Sequence, residues 1–340
     1  VQYRDFAAWQ RRHVSGERLA ELLEHWRTRL DGHPPLALPT DFPRPASVDY
    51  RGSVVPFALD ADTSRALRRL AAQLNVSLFS VLLTAYVLML RAFAGQRDVV
   101  VGVPVFNRQY EQTQHLVGCF VNSLAVDFRI DDAVRVRTLI QQVAARVAEA
   151  QQHQDLPFDQ LVSALRLPRD PSRHPLFQVW FDVNSFTPAE GPQARRLRAH
   201  PVDDGSERVT RFDLGVEVDA SHEVLSGALT YAVALFGEDA ARRFAETYTT
   251  LLGQLATVED VSSLRWLPSG SREGVVALGR GERDGRPGSR SLGELFRAEV
   301  RAASPDAPAL LLGDTPLTYR QLDEYSDQLV AGLGERTDRP

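Results

Sequence analysis

The sequence predicts a layered α/β fold. Segments with the helical spacing of apolar residues alternate along the chain with segments that are typical of strands, which is the pattern of a sheet covered by helices. The β-branched run over 98–105, with Gly102 and Pro104 in its second half, is typical of a buried interior strand. An apolar fraction of 44% in 340 residues is enough to bury a full core.

The first 130 residues predict four helices and three strands. Helical spacing covers 5–13 and 17–30, and in the second segment Leu22, Trp26 and Leu30 share one face. After a proline-rich segment over 34–45, the predicted order is a strand over 53–59, helices over 61–73 and 77–93, and strands over 98–105 and 124–130. Asn75 and Ser77 are the end and cap signals between the third and fourth helices.

The next 125 residues continue the alternation. They predict helices over 134–152 and 158–165, a strand over 177–183, a hairpin of strands over 212–219 and 224–234 with its turn at 220–223, and a helix over 239–255. The last helix carries Phe244, Tyr248 and Leu251 at core spacing. Together, residues 1–266 are predicted to form one α/β unit.

A change of composition follows. The segment 267–290 is rich in glycine and in charges of both signs, which predicts an interdomain linker. A helix is predicted from Ser291, then strands over 309–312 and 317–319 around a turn at Gly313 and Asp314, and a helix over 321–333. About 50 residues rarely bury enough surface to be stable alone. Residues 291–340 are therefore predicted to be the beginning of a second, truncated domain.

Composition excludes several function classes. The net charge is −5, and all 39 basic residues are arginine, so lysine-dependent Schiff-base and phosphate-loop chemistry is excluded, and a lysine-rich nucleic-acid surface is absent. Cys119 is the only cysteine, which rules out an intrachain disulfide and a cysteine-based zinc site. The apolar run 78–90 is too short and too polar to span a bilayer. We expect a cytoplasmic protein without a membrane, nucleic-acid or metal partner.

Three separated stretches carry a family resemblance. YRDFAAW lies at 3–9, VGCFVNSLAVDFR at 117–129, and HQDLPFDQLV followed by RDPSRHPLFQVWF between 153 and 181. In this order and spacing they resemble the later core motifs of condensation domains of nonribosomal peptide synthetases. FDLGVEVD at 212–219 and GALTYAVALF at 227–236 fit the late hairpin of that family. LTYRQLDEYSDQLVAGL at 317–333 resembles the first core motif of the adenylation domain that usually follows.

The resemblance implies a fold and a reaction. It implies a chloramphenicol-acetyltransferase-like architecture, in which two α/β lobes enclose a tunnel entered by the phosphopantetheine arms of carrier proteins. The reaction is amide formation between carrier-bound aminoacyl and peptidyl thioesters. The catalytic HHxxxDG segment of the family lies upstream of YRDFAAW, and the sequence contains no His-His pair. We therefore expect the C-terminal part of a condensation domain, inactive alone.

The resemblance also implies cofactors and partners. The expected partners are the upstream and downstream carrier domains, the N-terminal lobe of the condensation domain and the rest of the adenylation domain. No cofactor is expected on this chain itself. Phosphopantetheine belongs to the carrier domains, and ATP with Mg²⁺ belongs to the complete adenylation domain.

Candidate site residues follow from the matched motifs. No catalytic residue and no metal ligand is assigned. The substrate-tunnel candidates are Asn122, Ser123 and Asn184, where Ser123 replaces the threonine of many relatives. The alternative for Asn122 and Ser123 is that they satisfy backbone groups where a strand begins. Residues with an expected structural role are Tyr3, Asp5, Trp9, Gly118, Phe120, Asp155, Pro157, Phe158, Arg169, Asp170 and Arg173.

Several tempting pairs have simpler explanations. His153 and Asp155 are two residues apart and do not face each other on a helix, so capping and packing are expected. Asp170 is expected to hold a turn through backbone amides or an arginine, and His174 departs from the asparagine common in the family. Cys119 and His115 lack an acidic orienter, which argues against a nucleophile. The segment 275–285 resembles a phosphate loop only loosely and is assigned to the linker.

Two other functions remain open at this stage. One is a noncatalytic scaffold or carrier-protein docking module, which would hold if the parent carried a degenerate catalytic segment. The other is an epimerisation-type member of the same superfamily, disfavoured because an adenylation start directly follows. The amino acids that are joined, the donor stereochemistry and the oligomeric state do not follow from these residues.

Overall fold

The fold was examined in a computed structural model that describes residues 1–167, 170–185, 208–268, 271–280, 291–302, 304–312 and 315–337. The chain divides into two compact units, Val1–Arg272 and Glu273–Pro340. The boundaries 1–266, 267–290 and 291–340 derived from composition stay a prediction.

Seven α-helices lie in the described part of the first unit. They are α1 Tyr3–His13, α2 Gly16–Leu30, α3 Ala61–Leu74, α4 Leu78–Ala94, α5 Val136–Gln152, α6 Phe158–Leu165 and α7 Glu238–Gln254. Local signals set their ends. The side chain of Ser77 accepts a hydrogen bond from Ser80 N at 3.2 Å, and Asn75 ends α3 in the left-handed region at φ 53°. Both residues thus act as the cap and end signals that the sequence predicts.

A seven-stranded sheet forms the frame of this unit. Its strands are β1 Arg51–Ala58, β2 Asp98–Val105, β3 Asn122–Arg129, β4 Val179–Asn184, β5 Arg208–Val209, β6 Leu214–Asp219 and β7 Ser226–Ala232. The spatial order is β3-β2-β4-β6-β7-β1-β5. The pairs β2–β4 and β4–β6 are parallel and the others are antiparallel. The run over 98–105 is therefore an interior strand, as predicted.

The core lies between this sheet and α4, which is buried from Ser80 to Leu90. The ring of Tyr86 on α4 stacks on Phe181 of β4 at 5.5 Å, and Tyr248 of α7 meets Tyr86 edge-on at 6.2 Å. All three side chains are fully buried. Burial of each such side chain contributes roughly 1.5–3 kcal/mol, so this contact fixes α4 and α7 on one face of the sheet.

Two predicted segments differ from the structure. The strand predicted over 177–183 begins only at Val179, because Leu176 is in the left-handed region at φ 67° and turns the chain just before the strand. In the predicted linker, Ser271–Arg280 forms helix α8 rather than irregular chain. Only two of its ten residues are glycine, and each costs about 1 kcal/mol in a helix, which is not prohibitive. Residues 269–270 and 281–290 of the predicted linker lie outside the described residues.

The second unit contains α9 Leu292–Ala302, β8 Pro308–Leu312, β9 Thr315–Thr318 and α10 Tyr319–Thr337. Ser291 and Glu294 cap α9 reciprocally, with Ser291 N donating to Glu294 Oε2 at 2.7 Å. The strands β8 and β9 pair antiparallel, with Leu312 opposite Thr315. The turn predicted at Gly313 and Asp314 lies outside the described residues.

Within the described ranges, no single helix has both the length and the hydropathy of a membrane span. Only α3 and α4 pass when taken together, and they are bent by 110° at the break between them.

Candidate functional site

A cavity of about 750 Å³, here called the main cavity, lies where the three matched motifs meet. Its wall comes from α1, the segment 119–123, α6, and the segments before β4 and β6. The wall includes the side chains of Tyr3, Phe120, Asn122, Ser123, Phe158, His174, Trp180 and Phe212. Most of these side chains are aromatic, and the wall also carries polar and charged side chains, among them Gln10, Asp159 and Arg211. The main cavity therefore combines rings that can pack against a ligand with polar groups that can orient it.

The first motif packs directly on the second. Tyr3 Oη donates to the carbonyl oxygen of Cys119 at 2.7 Å, and the Tyr3 ring meets Phe120 edge-on at 5.1 Å. A Cβ atom at Gly118 would lie 2.3 Å from the Tyr3 ring, so only glycine leaves room for it. Tyr3, Gly118 and Phe120 thus form one packed contact across the wall of the main cavity.

The other two residues of the first motif serve α1 itself. The carboxylate of Asp5 accepts from Gln2 N at 2.8 Å and closes the first turn of the helix. Trp9 stacks on His13 at 4.6 Å and meets Tyr110 edge-on at 4.8 Å. Both contacts are structural.

Asn122 is a bracket between two motifs. Its Nδ2 donates to the carbonyl oxygens of Gln154 at 2.9 Å and Leu156 at 2.8 Å, while its Oδ1 accepts from Phe158 N at 3.2 Å. Both amide hydrogens are therefore used within the protein. Asn122 lines the main cavity, but its side chain holds the loop that leads into α6, which agrees with the backbone-satisfying alternative.

The other two tunnel candidates lie apart. Ser123 lines the main cavity, and its hydroxyl makes no hydrogen bond within the described ranges. Asn184 is the last residue of β4, exposed, and not in the wall of that cavity. It shares a sheet face with Trp180 but lies four residues, about 13 Å, further along the strand. The structure thus places Asn184 apart from Asn122 and Ser123, and its role as a tunnel residue stays a prediction.

Asp155 is a nearly buried connection between elements. Its Oδ1 accepts from Gln109 Nε2 at 2.9 Å, and its Oδ2 lies 3.6 Å from Arg18 Nη2 and 3.7 Å from His13 Nε2. His153 turns elsewhere, with Nδ1 donating to the carbonyl oxygen of Glu149 at 2.8 Å. His153 and Asp155 therefore form no dyad. Pro157 is the N-cap of α6, one position before the expected first helical position, and Phe158 begins the helix.

An aromatic group forms the opposite wall. Trp180 stacks on Phe212 at 5.0 Å, and the ring of His174 lies 5.4 Å from Phe158 and 4.6 Å from Phe177. His174 Nδ1 donates to the carbonyl oxygen of Pro175 at 2.8 Å, so the proton of the neutral ring sits on Nδ1. Burial among these rings lowers the pKa of His174, which keeps the ring neutral.

Asp170 lies in the turn before β4 and bonds within it. Its Oδ1 accepts from Ser172 N at 2.9 Å and from Ser172 Oγ at 2.5 Å, and its Oδ2 lies 2.7 Å from Arg173 Nε. The hydrogen bonds from Ser172, with Arg173 adding a smaller contribution, lower the pKa of Asp170 below its usual value. Arg169 lies outside the described residues. Asp170, Ser172 and Arg173 do not line the main cavity.

Two arginines with central positions escaped the sequence reasoning. Arg108 donates from Nη1 to the carbonyl oxygen of Leu116 at 2.8 Å, and its guanidinium lies 4.1 Å over the ring of Phe120. Arg44 forms a two-point ion pair with Asp213, with Nη1 to Oδ1 at 3.0 Å. Both residues lie in irregular segments, where periodicity gives no signal.

No group of three or more His, Cys, Asp or Glu side chains suited to a metal ion occurs in the described parts of the chain. Cys119 is exposed beside the main cavity. Neither observation assigns a chemical step.

The fold is that of an α/β protein, and its main cavity lies between the separated motifs with several aromatic side chains in the wall. Residues 1–272 match the sequence profile of the family described as Condensation domain. This chain therefore belongs to the condensation domain family of nonribosomal peptide synthetases.

Similar proteins are large synthases. The chain is 39% identical over 335 residues to N-(5-amino-5-carboxypentanoyl)-L-cysteinyl-D-valine synthase of Amycolatopsis lactamdurans, covering 97% of this chain and 9% of that protein. It is 32% identical over 336 residues to surfactin synthase subunit 1 of Bacillus subtilis (strain 168), covering 98% of this chain and 9% of that protein. The chain thus spans less than a tenth of the length of these two relatives.

Two solved structures have similar folds. The X-domain from teicoplanin biosynthesis superposes with a TM-score of 0.70 at 26% identity, covering 78% of this chain and 62% of that one. The four-domain synthetase AB3403, bound to AMP and glycine, gives a TM-score of 0.68 at 22% identity over 93% of this chain and 25% of that one. The second likeness concerns the fold alone.

Proposed function

We propose that this chain is part of a condensation domain that forms amide bonds between carrier-bound aminoacyl and peptidyl thioesters. The observation that carries the proposal is the main cavity, about 750 Å³, bounded by the three motifs that resemble the condensation family. Aromatic side chains in its wall, such as Trp180 and Phe212, can pack against acyl chains, and the hydroxyl of Ser123 makes no hydrogen bond within the described residues. The family match over 1–272 supports the same assignment.

In the proposed reaction the amine nitrogen of the acceptor attacks the carbonyl carbon of the donor thioester. The C–N bond forms and the C–S bond breaks. A base takes the proton lost by the amine and passes it to the departing thiolate, so the donor arm leaves as a thiol. The described residues contribute binding and orientation. Asn122 fixes the wall at 154–158, while Trp180 and Phe212 exclude water beside the acyl chains. The base belongs to the HHxxxDG segment, which this sequence lacks.

The cofactors of the proposed reaction reside on partners. Phosphopantetheine arms on the upstream and downstream carrier domains carry the substrates, and Ser123 is the polar group of the cavity best suited to meet an amide of such an arm. The N-terminal lobe of the domain supplies the facing wall. We also propose that the parent synthetase is cytoplasmic. Cell fractionation followed by detection with an antibody to this chain tests this location.

Residues 291–340 are proposed to begin an adenylation domain, whose complete form uses ATP and Mg²⁺. The proposal rests on the motif at 317–333 and on relatives that align over 97% and 98% of the chain, beyond residue 272. Expression of 291–340 extended into the parent sequence tests it by ATP-dependent, amino-acid-specific pyrophosphate exchange. Absence of exchange by a folded, complete unit would argue against the assignment.

A docking module is the second candidate. It is favoured by the likeness, at 26% identity, to a teicoplanin X-domain whose structure was also determined as a complex with OxyB. A domain of this fold therefore has a documented protein partner. For this chain the docking function would require a degenerate catalytic segment in the parent.

The deciding experiment compares two proteins in the presence of two loaded carrier proteins. One is this chain alone, and the other is the complete domain including the upstream lobe. We expect dipeptidyl thioester, detected by mass spectrometry, only from the complete domain. Product from this chain alone, or none from a folded complete domain whose HHxxxDG segment is intact, would contradict the proposal.

A further inference from the structure

A second cavity of about 730 Å³ lies at the carboxyl ends of β2 and β4, and we call it the strand-end cavity. The first turn of α4 and the middle of α5 form its other sides. Most of its wall is apolar, including Phe79, Val105 and Val147. Asn107 lines both cavities, so the two adjoin. Crevices at the carboxyl ends of neighbouring parallel strands are common ligand sites.

Two charged residues line the strand-end cavity, Arg108 and Asp182, and they differ in how far they are satisfied. The guanidinium of Arg108 is used by the carbonyl oxygens of Leu116 and Gly118 and by the ring of Phe120. Asp182 has no cationic partner in the described parts of the chain. Its Oδ1 accepts from Val183 N at 2.7 Å, and its Oδ2 has no hydrogen bond there.

The backbone explains why a carboxylate sits at this position. The carbonyl of Asn184 accepts from Ala220 N at 2.7 Å on the β6 side, so alternation directs Val183 N toward β2. There β2 and β4 are paired only at Gly102 and Trp180. No further pair of β2 with β4 occurs within the described residues, and the Asp182 carboxylate, rather than a carbonyl of β2, accepts from Val183 N.

One oxygen of this carboxylate is left over for a ligand. A carboxylate has about four acceptor sites on two oxygens, and Val183 N uses one of them. Because the side chain is half-buried and no cation compensates, burial raises the pKa of Asp182 above its usual value. A cation arriving in the cavity would be stabilised by this carboxylate and would favour its ionised form.

We propose that the strand-end cavity binds a primary ammonium group on a short alkyl chain, with Asp182 Oδ2 accepting from the ammonium and the chain lying against Phe79, Val105 and Val147. Resting on the proposed condensation function, this makes Asp182 a specificity-determining residue for acyl substrates with a cationic side chain. The neighbouring main cavity would hold the thioester.

The test titrates this chain with hexylammonium and with hexan-1-ol, followed by NMR at pH 7 and low salt. We expect hexylammonium to bind at least about tenfold more tightly, which corresponds to about 1.4 kcal/mol for the ion pair. Asp182→Asn keeps an acceptor for Val183 N and should make the two affinities equal. The exposed Asp62→Asn on α3 is the matched control and should keep the preference.

A second measurement needs no variant. In the wild-type chain, hexylammonium affinity should rise with pH as Asp182 ionises, and hexan-1-ol affinity should not. Equal affinities for the two probes in the wild type, or a preference that survives Asp182→Asn, would overturn the proposal. An Asp182→Asn protein that fails to fold leaves the wild-type comparison and its pH dependence to decide.

The outcome for the site and the outcome for the proposed reaction can be separated. Ammonium binding is measured without condensation. An inactive complete domain that still binds hexylammonium more tightly than hexan-1-ol would therefore contradict only the proposed reaction. A complete domain that condenses ornithyl and norleucyl acceptor thioesters with equal KM would sink only the role of Asp182. If both proposals hold, the complete domain has a lower KM for the ornithyl substrate than for the norleucyl substrate, and Asp182→Asn abolishes this difference.

Discussion

The hydroxyl of Tyr3 donates to the carbonyl oxygen of Cys119 at 2.7 Å, across 116 residues of chain. The same ring covers Gly118 so closely that a Cβ there would lie 2.3 Å from it. One aromatic residue therefore joins α1 to the loop before β3 through a hydrogen bond and through shape. The contact determines where the wall of the main cavity stands.

Tyr3→Phe should remove the hydrogen bond and keep the packing. We expect a loss of about 1 kcal/mol in the free energy of unfolding, measured with urea. Gly118→Ala should cost more, because the Tyr3 ring must move. Tyr50→Phe, at an exposed tyrosine, is the control and should change nothing. Equal stability of Gly118→Ala and wild type would show that the loop yields freely.

Asn122 and Ser123 should separate stability from substrate contact. Asn122→Ala removes three hydrogen bonds to the segment 154–158 and should lower the free energy of unfolding by about 2 kcal/mol. Ser123→Ala should leave the melting temperature unchanged and lower turnover in the complete domain. Thermal melts with single-turnover kinetics distinguish the two, and unchanged melting of Asn122→Ala would refute its role as a bracket.

Asp170 should matter to folding rather than to rate. Asp170→Ala should lower the melting temperature, because Ser172 N and Arg173 lose their acceptor, while turnover per folded molecule of the complete domain is retained. Ser262→Ala, at an exposed serine outside the main cavity, serves as the control. Unchanged melting with a rate loss of about tenfold or more, which is about 1.4 kcal/mol of transition-state stabilisation, would instead make Asp170 a substrate contact.

The stacked imidazoles of His25 and His153, 3.5 Å apart, should make stability depend on pH. Burial, then the neighbouring His153, lowers the pKa of His25, so the folded state favours the neutral ring. The groups around it are Glu149 and Arg146 on α5, Arg29 on α2 and Asp127 on β3. Its stabilising contribution is therefore complete above the unfolded pKa of 6.5 and is lost as pH falls through 6.5 toward the lowered folded value.

Urea unfolding at pH 7.5 and 5.5 measures this effect. We expect the wild type to lose more stability between the two pH values than His25→Phe. His174, whose pKa is also lowered by burial, titrates in the same direction, so the double variant with His174→Asn should flatten the profile further. A His25→Phe profile that matches the wild type would exclude the stacked pair as a source.

Sequence periodicity located the seven α-helices α1 to α7 and the six longer strands described in the first unit, because apolar spacing reports which face is buried. It failed at the start of β4, where Phe177 occupies the space that a Cβ at Gly102 would fill, a relation between distant residues. The candidate site could likewise be predicted only in part. The motifs marked its wall, but the hydrogen bonds of Asn122 and the cation of Arg108 depend on loop geometry that no spacing encodes.

Asp182 differs, because a signal for it was present. It is the single charged residue in the segment 177–183, which was predicted as a strand. A carboxylate in such a stretch requires an explanation. The alternation of side chains along the strand puts Asp182 on the same face as Trp180. The sequence alone does not show that β2 and β4 pair only at Gly102 and Trp180.

The short pairing of β5 with β1 has a consequence for association. Only Arg51 and Gly52 of β1 pair with β5, so among the described strands none pairs with the outer side of β1 from Ser53 to its end. The carbonyl of Arg51 accepts from Val233 N on the β7 side, so the groups of Pro56 face outward. Proline has no N–H there to offer an incoming strand. Pro56 thus disfavours edge-to-edge pairing of β1 with a strand of another copy. Because its backbone groups face away from β7, it removes no hydrogen bond from the β1–β7 ladder.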